Sequence, residues 1–489
     1  MPNPRSKCAA AATLWLLGGW LLAIPDDSPA PTSASTDPSP VAAPVETHSD
    51  GGTSASDPTA RNLFQSDMTA MVGMSPRDPM GGMVMPGWHL MDEGVARAVY
   101  NRQGGPSGGE RFESTNWNMF HASHDFAGGL FSFMMMNSLE PATISKHGSP
   151  QLFQEGETID GQPNVDHQHP HDFWMNLSAT YRHQLGEEGA FWVQAAPVGE
   201  PALGPTAFMH RASSGENPTA PLGHHGQDST HITFGVLTLG FGWRWISFEG
   251  SAFHGREPDE NRWNFESGRL DSASGRIKLH FGGGWSGQVS HGSIRNPEVI
   301  FPGVIHRTTA SIHYGADGDR PLAVSLIYGR DHDGGRGQAS IPIASSPVPL
   351  AGEPSPLSVD PVPLALEHPN APRGFTEYWL LEGAYQITAK DQVYGRAEYV
   401  DRNLQLLVTK RLPLPGQPVA VNIIRIKALT LGYFHDFFIF KSSRLGIGAD
   451  LTGYIYPSYM DSIYGSHPLS VHAFFRIRWG VSNGMHHMM

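Results

Sequence analysis

Tight turn-forming joints and long polar connections alternate along residues 86–489, separating segments about as long as a membrane-crossing β-strand. The short joints read Phe126-Ala127-Gly128-Gly129, Gly186-Glu187-Glu188-Gly189, a bare Gly240, Gly282-Gly283-Gly284, Asp317-Gly318-Asp319, Lys390-Asp391 and Lys441-Ser442-Ser443. Such residues accept positive φ or hydrogen-bond their own backbone, as a tight hairpin requires. The long joints carry most of the proline, histidine and asparagine. Short turns at one rim and long loops at the other are the pattern of a bacterial transmembrane barrel, with the short turns in the periplasm. The rhythm predicts sixteen strands: 87–101, 116–126, 129–139, 172–184, 190–199, 229–239, 241–254, 272–281, 285–294, 306–316, 322–331, 375–388, 392–402, 422–436, 444–456 and 470–480. An even number closes an antiparallel sheet with both ends on the periplasmic side.

Alternation within segments sets the faces. Val471, Ala473, Phe475, Ile477 and Trp479 share one face, against His472, Arg476 and Arg478. Ile277, Leu279 and Phe281 oppose Arg276, Lys278 and His280, and Ile424 and Ile426 oppose Arg425 and Lys427. A soluble sandwich would need these cations solvated on every outer sheet face. A barrel puts the apolar set in lipid and the polar set in the lumen. The expected fold is therefore all-β, a closed antiparallel transmembrane barrel of residues 87–480. Its lumen lining is expected to include Arg244, Glu249, Arg276, Lys278, Glu382, Arg396, Glu398, Arg425, Lys427, Arg476 and Arg478. Mutual pairing of these charges is the simpler role for them, and a weak preference for anions the sharper one.

Composition narrows the function classes. At 16% charged residues and a mean hydropathy of −0.29 the chain is neither a helical membrane protein nor a disordered one. The net charge is −13, and the basic residues fall singly along strands, so no nucleic-acid footprint is present. Tyr454, Tyr456, Tyr459 and Tyr464 are expected at one interfacial girdle and Trp243 and Trp245 at the other.

Ahead of the barrel, Arg5 and Lys7 precede an apolar run from Cys8 to Ile24, so residues 1–25 read as a signal peptide. Cys8 is the one cysteine, which leaves Met and His as the soft metal ligands. Residues 26–62, rich in Pro, Ser and Ala, read as a disordered tether. Residues 63–86 form a methionine-rich periplasmic segment, and residues 481–489 a Met/His tail.

Two constellations have metal-ligand chemistry. Proline and glycine interrupt the methionine segment, so a core helix does not explain it, whereas thioethers at short spacing suit Cu(I). Met68, Met71 and Met74, with Met485, His486, His487 and Met488 on the same periplasmic side, are the expected ligands. The second is Asp166-His167-Gln168-His169-Pro170-His171-Asp172. In extended geometry His167, His169 and His171 project to one side, with Asp166 or Asp172 as an oxygen ligand or as a group that orients the rings. The next outer loop adds His210, His224 and His225, giving a mouth site for Zn(II) or Cu(II). The alternative is that these histidines fix the loops through backbone hydrogen bonds. Copper or zinc are the ions these ligands suit. No catalytic motif is present, so the chain does not read as an enzyme.

Several stretches carry a family likeness: Pro86-Gly87-Trp88-His89-Leu90-Met91, Asn101-Arg102-Gln103-Gly104-Gly105-Pro106, Ser138-Leu139-Glu140-Pro141, Asp166 to Asp172, residues 199–205, Ala207-Phe208-Met209-His210-Arg211, Glu216-Asn217-Pro218 and Gly255-Arg256-Glu257-Pro258-Asp259-Glu260. In these the chain resembles an uncharacterised family of bacterial outer-membrane, porin-like β-barrel proteins, which implies the barrel and the envelope location. More loosely it is similar to the copper-resistance B family in joining a methionine-rich segment to a barrel. The expected function is passage or export of small solutes through the outer membrane, specialised in copper or heavy-metal handling. The other reading is a structural or adhesive barrel whose loops bind a partner. Expected partners are outer-membrane lipid, small solutes or metal ions, periplasmic efflux or metal-resistance proteins, and further copies of the chain in a homotrimer if it is not a monomer.

Overall fold

The computed structural model describes residues 84–480 apart from Pro86, Glu157, 299–302, 317–319, 334–374, 411–422 and Lys441. The leader, the tether, Met68, Met71 and Met74, the tail with Met485, His486, His487 and Met488, and the Pro-rich part of the 332–374 connection lie outside the described residues.

Sixteen strands follow one another around the wall. The first eight are β1 Trp88–Gln103, β2 Gly109–Phe126, β3 Gly129–Asn137, β4 Trp174–Leu185, β5 Gly189–Gly199, β6 Thr233–Trp243, β7 Ile246–Phe253 and β8 Ser272–Gly282. The rest are β9 Trp285–Arg295, β10 Val304–Ala316, β11 Leu322–Asp333, β12 Phe375–Gln386, β13 Asp391–Asn403, β14 Ile423–Phe440, β15 Ser443–Ile455 and β16 Leu469–Trp479. Each pairs antiparallel with the next, and β16 pairs back onto β1 from Trp479↔Gly94 to Ser470↔Gln103, which closes the sheet. The two-residue strand Val84–Met85 folds back on Trp88 and His89. Closure leaves no edge, so the wall meets the demand that lipid makes on every backbone polar group.

Outward positions form an apolar belt in which Leu239, Val289, Leu381, Leu429, Leu431 and Ile447 are exposed. Such a belt needs lipid against it. The chain is thus a β-barrel of the bacterial outer membrane. The facing expected for β8 and β16 is the observed one: Ile277 and Val471 are exposed while Arg276, His472 and Arg476 are buried.

Four expectations change. Gly240 is no turn but lies mid-strand, paired with Trp192 and Glu249, and a Cβ there would meet the Trp192 ring at 1.9 Å. The hairpin turns instead at Arg244, whose φ is +51°. Secondly, β2 begins at Gly109, so the first outer connection is only residues 104–108. Thirdly, Ile424 and Ile426 point inward and Arg425 and Lys427 outward. At that height the lumen is filled by folded loops, and Ile424 and Ile426 pack with Leu152, Phe153, Leu222 and Leu407. Arg425 and Lys427 instead lie over the Tyr399 ring at 5.5 and 6.0 Å, and Arg425 pairs with Asp401 at 3.3 Å. Lastly, Tyr454 and Tyr464 are no lipid girdle. They pack on Phe153 of the second outer loop, with ring centroids 5.2 and 4.2 Å away, whereas Trp243 and Trp245 are exposed at the short-turn rim.

Leu431 lies mid-strand in β14 and is 64% exposed. Leu431→Arg is expected to cost about 2–4 kcal/mol of barrel stability in bilayers, since a charge there replaces an acyl contact. Leu431→Phe is expected to be neutral. Urea titration in lipid vesicles, read by heat-modifiable gel mobility, checks both, and equal stability of the two variants would refute the outward placement.

Candidate functional site

The third outer loop, residues 200–232, does not stand above the barrel but folds into it. Inward-facing polar groups on many strands hold it. From β7, Ser251 Oγ accepts from Ala202 N at 2.7 Å; from β8, Arg276 donates to Gly204 O at 2.9 Å; from β9, Ser290 Oγ accepts from Gly204 N at 2.8 Å. Arg307 of β10 donates to Ser229 Oγ at 2.8 Å while its fork grips Asp331 of β11. Arg211 of the loop donates to Glu382 of β12 at 2.6 Å and also pairs with Asp228. Arg396 of β13 donates to Ser214 Oγ at 2.9 Å and to Thr219 O at 3.1 Å, and Glu398 accepts from Leu222 N. On the far wall Arg476 of β16 pairs with Glu216 and with Asp436 at 2.5 Å, Arg478 with Glu216 at 3.4 Å, and Arg97 of β1 donates to Gly215 O. The loop therefore crosses the lumen from wall to wall. Gly226 in it approaches β11 so closely that a Cβ on Gly329 would stand 2.2 Å from the Gly226 carbonyl.

The expected lumen charges sort accordingly. Glu382, Arg396, Glu398, Arg476 and Arg478 anchor the loop, and Glu249 bridges Arg276 at 2.8 Å and Lys278 at 3.4 Å. Arg244, Arg425 and Lys427 do not line the lumen. Arg244 sits exposed at a turn and pairs with Glu188 of the neighbouring turn at 2.8 Å.

The histidines gather at the mouth but not as a shared ligand set. His167 belongs to a two-residue strand, His167–Gln168, and beyond it Pro170, with no N–H to pair, ends extended geometry. Each ring then finds its own partner. His167 Nδ1 lies 3.1 Å from Val165 O, His169 Nδ1 3.2 Å from Pro170 O, and His171 Nδ1 2.8 Å from Glu140 Oε2. Asp172 accepts from Arg262 of the fourth outer loop at 3.1 Å, and His210 packs on Trp117 at 4.9 Å. The four residues His167, His169, His171 and Asp172 are not brought together as one ligand group among the described residues, and the rings instead form a chain. His169 neighbours His225 at 5.7 Å, His225 neighbours His224 at 5.5 Å, His224 neighbours His231 at 5.1 Å, and His231 neighbours His171 at 5.6 Å. His224 Nδ1 is 2.6 Å from Asp228 Oδ1. Burial depresses the pKa of His169, His210, His224 and His231, favouring neutral imidazole.

His225 differs. Its Nδ1 stands 3.2 Å from Glu298 Oε1 and 3.9 Å from Glu257 Oε2, carboxylates from the fifth and fourth outer loops. Burial first, and Glu298 second, push the Glu257 carboxyl up to about 7.

A further constellation escaped the sequence reading. Cross-strand pairing sets Met91 of β1 opposite His121 of β2 and His121 opposite Met134 of β3, all facing inward. In the next row outward Glu93 pairs with Met119 and Met119 with Met136, and these methionines pack against Phe208 and Met209 of the inward loop. The signal was the alternation of Met134-Met135-Met136, which places two of three sulfurs on one face.

No protein-family model and no curated protein matches the chain. Among solved structures it is similar to the outer-membrane expressed OmpT of Vibrio cholerae, with 8% identity over 81% of this chain and 100% of that one and a TM-score of 0.41. It is also similar to OmpF of Salmonella typhi in complex with daunomycin, with 10% identity over 81% and 99% and a TM-score of 0.43. For OprB of Pseudomonas putida the values are 10% identity, 80% and 94%, and 0.43. The barrel assignment rests on the closed ladder itself, not on these likenesses.

Glu382→Ala leaves Arg211 buried with half its partners, a loss expected to cost about 3–5 kcal/mol of loop docking. Amide exchange across residues 211–217 should accelerate while the barrel keeps its heat-modifiable mobility. Unchanged exchange would show that the loop is held by something other than this pair.

Proposed function

We propose that the protein passes small solutes across the outer membrane and that its specialisation is metal handling, with soft cations such as Cu(I) meeting the inner wall. One observation carries this reading: Met91, His121 and Met134 stand in a single inward row, with Met119 and Met136 in the row beside it. Directly opposed residues in an antiparallel pair have Cβ atoms about 4.5–5.5 Å apart, so two thioethers and an imidazole can reach one ion. Thioether sulfur selects Cu(I) over the hard cations that dominate solution. His121 is 9% exposed, and among the described residues nothing hydrogen-bonds its ring. The row begins at the periplasmic end of β1, just after the methionine-rich segment in sequence, so soft donors continue from that segment into the wall. The inward loop lies on the outer side of these rows as the constriction that a solute must pass.

Reconstituted in planar bilayers, the full chain is expected to show small discrete conductance steps. Ag(I), a redox-stable soft cation, should block them. Met91→Leu combined with Met134→Leu keeps side-chain volume but removes sulfur, and should weaken the block at least tenfold with conductance unchanged. Absence of conductance would refute passage, and a block indifferent to the double substitution would refute the soft-cation wall.

A further inference from the structure

We propose that His225, Glu257 and Glu298 form a divalent-cation site at the base of an acidic pocket on the outer mouth. One ligand atom from each lies within 4.8 Å of the others, close enough to converge on a single ion. The three come from different outer connections, residues 200–232, 254–271 and 296–303, so the site exists only when those loops are folded against one another.

Three further features point to a cation here. A cavity of about 360 Å³ is lined by Glu257 and Glu298, with Thr158, Asp259 and Glu260 around them and Arg256 the cation of its lining. It gives an ion a route to the carboxylates and room for water to complete its shell. Acidic groups also gather behind the site. Glu155 lies close enough to Glu298 to feel its charge, with Arg402 and Asn403 N as its own partners and its Oε1 buried with no hydrogen-bond partner among the described residues. Arg307 acts on Glu257 from a distance, but its fork is closed on Asp331 at 2.8 Å through each of two nitrogens. Buried carboxylates are stable when they are paired or share a metal. Finally, the imidazole is packed closely on one face. Gly156, at φ +147°, packs against it, and a Cβ there would stand 2.4 Å from its Cε1.

One imidazole nitrogen and two carboxylate oxygens select a borderline-to-hard divalent ion, Mn(II) or Zn(II), over Cu(I). Water from the pocket fills the open positions. The inference deepens the metal-handling reading but stands on separate residues, so the two fail separately.

Mn(II) is the discriminating probe, because thioethers and isolated imidazoles hold it poorly. The full chain, solubilised in detergent and stripped with chelator, is titrated with Mn(II) and followed by loss of the free-ion EPR signal. We expect one site, weakened at least tenfold by Glu257→Gln and by Glu298→Gln. These variants preserve size, and heat-modifiable mobility confirms their barrels. His225→Gln is expected to act in the same direction. Wild-type affinity in both Gln variants, or no wild-type binding tighter than about millimolar, overturns the site. The Ag(I) block should be the same in Glu298→Gln as in the wild type; if it too is lost, the mouth acts on the pore as a whole and a separate cation site is overturned.

Discussion

The interior depends on one constraint: a guanidinium taken out of water must meet carboxylates, or the barrel cannot hold it. Removing one partner of a buried pair leaves an uncompensated charge, and that penalty exceeds what the intact pair adds. Arg476 is 2% exposed and Arg211 is equally enclosed, so each has essentially one place to be. Arg211 must reach Glu382 and Asp228 together, and Glu216 must reach Arg476 and Arg478 together. These two requirements lie four strands apart, on β12 and β16, while Ala202 and Gly204 of the same loop are held by β7, β8 and β9 across the barrel, so the loop between these anchors crosses the lumen. The inward loop follows from charge satisfaction more than from any propensity of its own, since its only helical pieces are single turns such as His224–Gln227.

The same constraint explains how far the fold was legible. Where the lumen is polar and the outside is acyl chain, alternation reads directly, as in β8 and β16. Register is also robust there, because a one-residue slip would turn every cation into lipid. Near the outer rim both conditions lapse. The inside is filled by Leu152, Phe153 and Leu222 of the loops, and the outside meets headgroups, so Ile426 turns in and Lys427 out. Gly240 misled for another reason. Glycine marks a turn when φ must be positive, but here it clears room for the Trp192 ring on the neighbouring strand, a packing role that only pairing reveals.

The site was legible in kind and not in membership. A histidine-rich mouth was evident from the 166–172 run and from His224-His225, yet spacing along one chain does not say which rings meet across loops. Pro170 broke the local geometry, and backbone carbonyls and Glu140 orient the three rings through Nδ1 without bringing their ligand atoms together with Asp172 among the described residues. Glu257 and Glu298 carried no signal of partnership, being acidic residues beside proline in two unrelated connections. The methionine rows were missed for the opposite reason: Met134-Met135-Met136 reads as an apolar strand, and its sulfur chemistry emerges only when His121 falls opposite.

The two donor sets are separated by hardness as well as by position, and the inward loop links them. Oxygen and imidazole donors face the outer pocket, and thioethers face the periplasmic side of the lumen. His225 travels with the loop that Arg211 and Glu216 anchor, whereas Glu257 and Glu298 belong to loops above it. Phe208 and Met209 of that loop rest on Met119 and Met136, so the docked state also closes the outer side of the methionine rows. The two donor sets therefore share one docked loop as scaffold while resting on separate residues, oxygen and imidazole on its outer side and thioether on the wall beneath.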